Sequence, residues 1–309
     1  MRGAEVGVRV ATWISMGFRL KKDESFGPGL ARVVGQELRS AIERLTSNPT
    51  DEAVHDARKS IKKVRSVLQL LGDELDARGS RGRLRKASHL LSPIRDADAM
   101  LASARSLRSR HSAEQSELVG SLRSRRATLV ADADRERIGP RAARALKRVR
   151  RKARGWDWDD TTFPVLAKAI RRSYKRARTG LDDVRADSRA ETFHEWRKRV
   201  KTLWYALRLL ERRAPRLQRP IADLKRLQTM LGDDHNLFVL RTQLGSESTR
   251  MGWSGRARLR MRIDRRQREL RQHAVALGLR LFALPPKVFA RRLREMWDSR
   301  PAARRAAAA

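Results

Sequence analysis

Apolar residues along this chain recur at helical spacing almost from end to end. Leu30, Val33, Val34, Leu38, Ala41, Ile42 and Leu45 fall three and four residues apart, which predicts an amphipathic helix. "TSNPTDEA" then supplies a stop and the cap of the next helix. In that second helix Val54, Ala57, Ile61, Val64, Leu68 and Leu71 keep a heptad seam. "GDELDARGSRG" breaks the pattern, and Leu84, Ala87, Leu91 and Ile94 open a third helix that Ser92-Pro93 is expected to kink or end. Arg-rich helical text follows, from about Asp98 to Ile138 and from Pro140 to Arg154.

"GWDWDDTTFP", residues 155–164, is helix-poor, and after it the same order returns. Leu166, Ile170, Tyr174, Ala177 and Leu181 mark a helix. Phe193, Trp196, Val200, Leu203, Leu207 and Leu210 repeat the heptad seam, with Trp196 on its core side. Ile221, Leu224, Leu227 and Leu231 lead into "LGDDHNLFVL", the counterpart of "LSPIRDADAM". A last Arg-rich helix meets Pro285-Pro286, with one short helix beyond. No strand-like alternation of useful length occurs.

A repeat of about 140 residues is too long for a solenoid unit. It predicts an all-α fold of two four-helix bundles related by a pseudo-two-fold internal duplication. The expected boundaries are an N-terminal extension at 1–17, a single domain at 18–300 with halves at 18–154 and 165–300 joined by the linker 155–164, and a tail at 301–309. The halves differ where Ser92-Pro93 faces Gly232-Asp233 and where Asp96 faces Asn236. Both Asp96 and Asn236 are expected just past a helix end, as capping or inter-helix hydrogen-bonding residues.

Charge changes the picture. The chain carries 72 Lys and Arg against 35 Asp and Glu, a formal net of +37. Such an excess repels itself, so a polyanion is the natural counterpart: nucleic acid, an anionic membrane surface or inorganic polyphosphate. With no cysteine, disulfides, thiolate metal sites and cysteine nucleophiles are excluded. No apolar run approaches the roughly 18 residues that span a bilayer. "VRVATWISMGF" is short, interrupted by Arg9 and followed by no small-residue cleavage pattern, so a cytoplasmic protein is expected.

The cations are not spread evenly. "VHDARKSIKKVRSVLQLL" (54–71) and "FHEWRKRVKTLWYALRLL" (193–210) share His, Arg, two Lys and three Leu at matching positions. In each, the cations lie three or four residues apart on a stripe beside the apolar seam. Most charge runs on helices are solvated faces. Here adjacent like charges repel, and a purely solvating face would mix in Glu, so two such stripes point to something outside the chain that neutralises them. Arg32 and Arg39 on the first helix, Lys168 and Lys175 on its counterpart, and Arg85 against Lys225 on the third helices add to the pattern. Converging helices of both halves would make one basic groove.

The two His-x-x-Arg-Lys-x-x-Lys helices, each followed by "LSPIRDAD" or "LGDDHNLF", resemble the CHAD domain, the conserved histidine α-helical domain. The resemblance runs from about Gly17 to Met296 and includes "GFRLKKDES". It implies paired four-helix bundles that bind inorganic polyphosphate along the basic surface, often with targeting to polyphosphate granules. The ligand residues it implies are His55, Arg58, Lys59 and Lys62 with His194, Arg197, Lys198 and Lys201. Arg32, Arg39, Lys168 and Lys175 fit the same role, as do Arg85 and Lys225, and Arg95 and His235 occupy matching positions within reach.

Polyphosphate has no bases to stack, so its receptor needs many cations and few aromatics; Arg offers bidentate contacts and Lys compact charges. Affinity is expected to fall steeply with salt, and histidine to tighten binding at mildly acidic pH. Nucleic-acid binding is the rival reading, with non-specific contact expected at low salt, although the stripes lack interleaved aromatics. Phosphoryl transfer through a histidine is a third. No phosphate-binding Gly-Lys loop, no H-E-x-x-H and no E-x-E-x-K run of a fused triphosphatase domain is present. No cofactor, no metal and no catalysis are expected; the oligomeric state is open.

Overall fold

The helical spacing is realised along nearly the whole chain in the computed structural model, which describes residues 18–47, 50–71, 75–107, 113–246 and 252–298. The proposed extension at 1–17 and tail at 301–309 lie outside those residues. The helices are α1 (Phe26–Thr46), α2 (Asp51–Leu70), α3 (Arg78–Leu90), α4 (Ser92–Ser106), α5 (Ala113–Arg135), α6 (Ile138–Ala153), α7 (Phe163–Ala186), α8 (Ala190–Leu210), α9 (Gln218–Ser246), α10 (Trp253–Leu281) and α11 (Pro286–Asp298). A 3-10 turn at Pro215–Leu217 precedes α9, and the described residues contain no strand. The fold is all-α.

Local chemistry sets several of the ends. Thr50 caps α2, its side chain accepting from the Ala53 amide at 3.2 Å. Pro93 sits in the first turn of α4, where its missing N–H costs nothing. Arg137, at φ 51°, takes the left-handed conformation that separates α5 from α6.

The second half has no such interruptions: α9 runs through the segment matching α3–α4, and α10 is likewise continuous. The first half therefore has six helices rather than the four expected. Asp96 lies inside α4 and Asn236 inside α9, so the capping role expected of both is corrected. No helix end occurs in α9 because Gly232-Asp233 replaces Ser92-Pro93 and leaves the backbone hydrogen bonds intact.

Helices α1, α2, α3 and α6 pack on one another, as do α7, α8, α9 and α10, with α11 lying on α7. Their seams form one continuous core. A smaller second core joins Met100, Leu101 and Ala104 of α4 and Leu118 and Leu122 of α5 to Leu237 and Leu240 of α9 and Leu259 and Ile263 of α10. The first half thus reaches across onto the second. The strap at 18–24 adds another tie, with the Leu20 amide donating to Leu209 O at 3.0 Å and the Arg213 guanidinium to Lys21 O at 2.6 Å.

Trp196 fixes α8 among its neighbours. It is fully buried, and its Nε1 donates to Ala177 O at 3.0 Å. Gly180 of α7 and Gly278 of α10 admit it: a Cβ on either would stand 2.7 Å and 2.8 Å from the indole. Gly278→Ala is expected to destabilise the protein by about 1–3 kcal/mol, the usual cost of overpacking, read as a lowered urea midpoint at unchanged slope.

Candidate functional site

The seams of α2 and α8 turn toward the core, which brings their cationic stripes face to face where the two helices meet. Lys62 and Lys201 are neighbours there, near enough for a side-chain hydrogen bond. Beside them opens a cleft of about 580 Å³, walled by Arg65 and Gln69 of α2, by His194, Arg197 and Lys198 of α8, and by Arg176 of α7. Arg95 of α4 and His235 of α9 complete the cluster from the side.

Burial, and then so much positive charge in one place, shifts several of its groups. Burial pushes Lys62 down to about 7, and Arg58, Arg95 and Arg197 act in the same direction. Lys201 is pushed down to about 6 by burial, then by Lys62, Arg197 and Arg95. Arg58 and Arg197 are each lowered to about 10, chiefly by burial. Desolvation lowers His55, with Lys59 adding to it, and lowers His194, with Lys198 and Arg197 adding to it.

His235 falls to about 4, through burial first and then His194, Arg197 and Arg95. Its Nδ1 lies 3.1 Å from Nδ1 of His194. One Nδ1 must donate and the other accept, so at most one of the two rings carries charge while the contact holds. The Nε–H groups of Arg58 and Arg197 are buried without a hydrogen-bond acceptor among the described residues. Arg58 also donates to Ser88 O at 3.1 Å and to Ser92 Oγ at 2.8 Å, so the α3–α4 break anchors it.

The predicted site residues divide into three groups. His55, Arg58, Lys62, Arg95, His194, Arg197, Lys201 and His235 gather at the α2–α8 crossing. Lys59, Lys198, Arg85 and Lys225 flank it. Lys59 bridges Asp56 at 2.9 Å and Lys198 bridges Glu195 at 2.6 Å, so the stripes hold acidic partners that their cationic spacing had hidden. Lys225 lies over the Trp204 ring at 5.1 Å and feels Lys59 and Arg208. Arg85 lies close enough to lower Arg65.

The helix-one cations do not join them. Arg32 is held by Glu24, at 2.5 Å from Nε to Oε1, and closes the strap onto α1. Arg39 is exposed, roughly 200° around α1 from Glu37 at about 100° per residue, and Glu37 is the residue that faces Lys63 of α2 at 2.7 Å. Lys168 and Lys175 are exposed on α7, where Arg176 and Ser173 form the cleft wall instead. The seven-residue spacing from Lys168 points to Lys175, one residue away from the Arg176 that the cleft uses.

The far side of the Lys62–Lys201 contact is filled. Tyr205 packs edge-on to Phe18 at 5.5 Å, and Lys63 with its partner Glu37 covers the same ring at 5.8 Å. Phe18 arrives there on the strap, which no helical periodicity could place. No group of three or more His, Asp or Glu able to hold a metal ion occurs among the described residues. No helix among them is long and apolar enough to cross a membrane.

Comparison with known proteins agrees with this fold. The family model described as the CHAD domain matches residues 33–245. A crystal structure of the CHAD domain from the plant Ricinus communis aligns at a TM-score of 0.63 and 20% identity, covering 90% of this chain and 98% of that one. No curated protein matches the sequence.

Proposed function

The chain belongs to the CHAD domain family, and we propose that it binds inorganic polyphosphate, without catalysis, in the cleft between α2 and α8. One observation carries the reading: Lys62, Lys201, Arg58, Arg197 and Arg95 from three helices are held together against their mutual repulsion. A polyanion lying among them relieves that repulsion and accepts hydrogen bonds from the unsatisfied Arg58 and Arg197 donors. The general link between CHAD domains and polyphosphate supports the same ligand. Placement in the cytoplasm at polyphosphate granules follows as part of this proposal.

The test is a competition at physiological salt between labelled long-chain polyphosphate and duplex DNA. Polyphosphate is expected to resist displacement, because the cluster offers a narrow cationic slot and no stacking platform for bases. Equal displacement by DNA overturns the assignment in favour of a general nucleic-acid binder. Prolonged incubation is expected to leave polymer length unchanged, and shortening would overturn the non-catalytic part.

A further inference from the structure

Outside the cleft, one face of the protein carries cations well in excess of acids. Helices α3 and α6 pack on one another. They contain five and seven Lys and Arg respectively, and no Asp or Glu. The whole chain has 72 cations to 35 acids, and the long helices of the second half carry acids of their own: Asp223, Asp233 and Asp234 on α9, Asp264 and Glu269 on α10. The unbalanced face therefore belongs to the first half.

On α6 the small and apolar residues Ala142, Ala143, Leu146 and Val149 are buried, while Arg144, Lys147, Arg148 and Arg151 are exposed. At the helix ends Arg141 bridges Glu136 at 3.6 Å and Lys152 bridges Asp76 at 3.3 Å. The four between them make no ion pair among the described residues. Arg144, Arg148 and Arg151 stand three or four residues apart on one side, the spacing at which like charges destabilise an isolated helix. The cleft wall leads toward these helices: Arg65 on it neighbours Arg85 of α3, which is exposed, and α3 packs on α6.

We infer that a polyphosphate chain too long for the cleft continues past Arg65 and Arg85 onto the outer face of α3 and α6. The protein then discriminates by chain length. This inference rests on the cleft being a polyphosphate site. A short polyphosphate fills only the α2–α8 cleft, and a long one adds contacts to Arg144, Arg148 and Arg151, each releasing counterions.

The experiment compares inorganic tripolyphosphate with long-chain polyphosphate on the full chain and on an Arg144→Gln/Arg148→Gln/Arg151→Gln variant. Long-chain affinity is expected to fall, and its log–log salt slope to shrink by about 2, three contacts at roughly 0.7 each. Tripolyphosphate affinity is expected to stay unchanged. A control variant, Arg291→Gln/Arg292→Gln/Arg294→Gln on α11, removes the same charge from exposed positions elsewhere and is expected to leave the long-chain slope nearly intact. An unaffected long chain, or an equal loss for both ligands or both variants, overturns the inference. Failure of the unaltered protein to bind tripolyphosphate counts instead against the cleft reading on which the inference rests.

Discussion

Polyphosphate binding at pH 8 is expected to draw close to two protons from the buffer per protein molecule. In the free protein Lys62 and Lys201 are pushed down to about 7 and about 6, so both are mostly neutral at that pH. An anion in the cleft favours their charged forms and returns them toward the ordinary lysine range. Each proton taken up makes affinity fall about tenfold per pH unit as pH rises between the free and bound values. Burial sets this window first, and the groups facing the pair add to it: Arg58 on α2, Arg197 on α8 and Arg95 on α4, with Asp96 opposing weakly. Calorimetry in buffers of different ionisation enthalpy measures the uptake directly. Heats that do not depend on the buffer would sink the coupling. The histidine-based expectation of tighter binding in mild acid keeps its sign, but the lysines move its centre upward, because burial and the neighbouring cations hold His194 and His235 back from protonation.

The same shifts fix the sign for stability. A lysine lowered in the folded state binds more protons when unfolded, from about pH 6 or 7 up to the ordinary lysine value. Over that range the free protein gains stability as pH rises. Ligand-free thermal midpoints are expected to climb from pH 6 to pH 9, and saturating polyphosphate to flatten the climb by binding only the folded state. A ligand-free midpoint that falls over this range contradicts the assignment.

Most of the scaffold was legible in the residue pattern, for reasons particular helices make plain. The heptad seams of α2 and α8 are buried as their spacing requires, and Trp196 is core. Periodicity reads one helix at a time, so it found both stripes. It could not tell that Arg32 meets Glu24 eight residues earlier in a folded-back strap, or that Phe18 rides on that strap to fill one side of the crossing. Asp56 and Glu195 stand three residues from Lys59 and Lys198, a spacing the sequence carries openly. Nor does a single-helix pattern reveal that α4 and α5 leave their own half to share a core with α9 and α10.

Replacing Lys62 and Lys201 together by Met is expected to raise stability and destroy binding. Both side chains are half-buried among cations, where a charged ammonium loses water and gains repulsion rather than a partner. Met keeps much of the volume and adapts to irregular space. Exchanging buried charge for well-packed apolar side chains commonly stabilises by about 1–4 kcal/mol, and the gain is expected in full below about pH 6, where both lysines are charged. Near pH 8.5 they are already neutral, so the gain shrinks and the pH dependence of the variant's midpoint flattens. Loss of two charge-assisted contacts, about 1.5–3 kcal/mol each, corresponds to at least about a hundredfold weaker polyphosphate binding. Opposite signs in the two measurements separate function from structure: a variant that loses both stability and binding shows the lysines to be packing residues, and one that keeps its affinity moves the polyanion away from the α2–α8 crossing. Repulsion held in the free protein and relieved by the ligand makes the two effects one prediction, because the charges that weaken the fold are those the polymer neutralises.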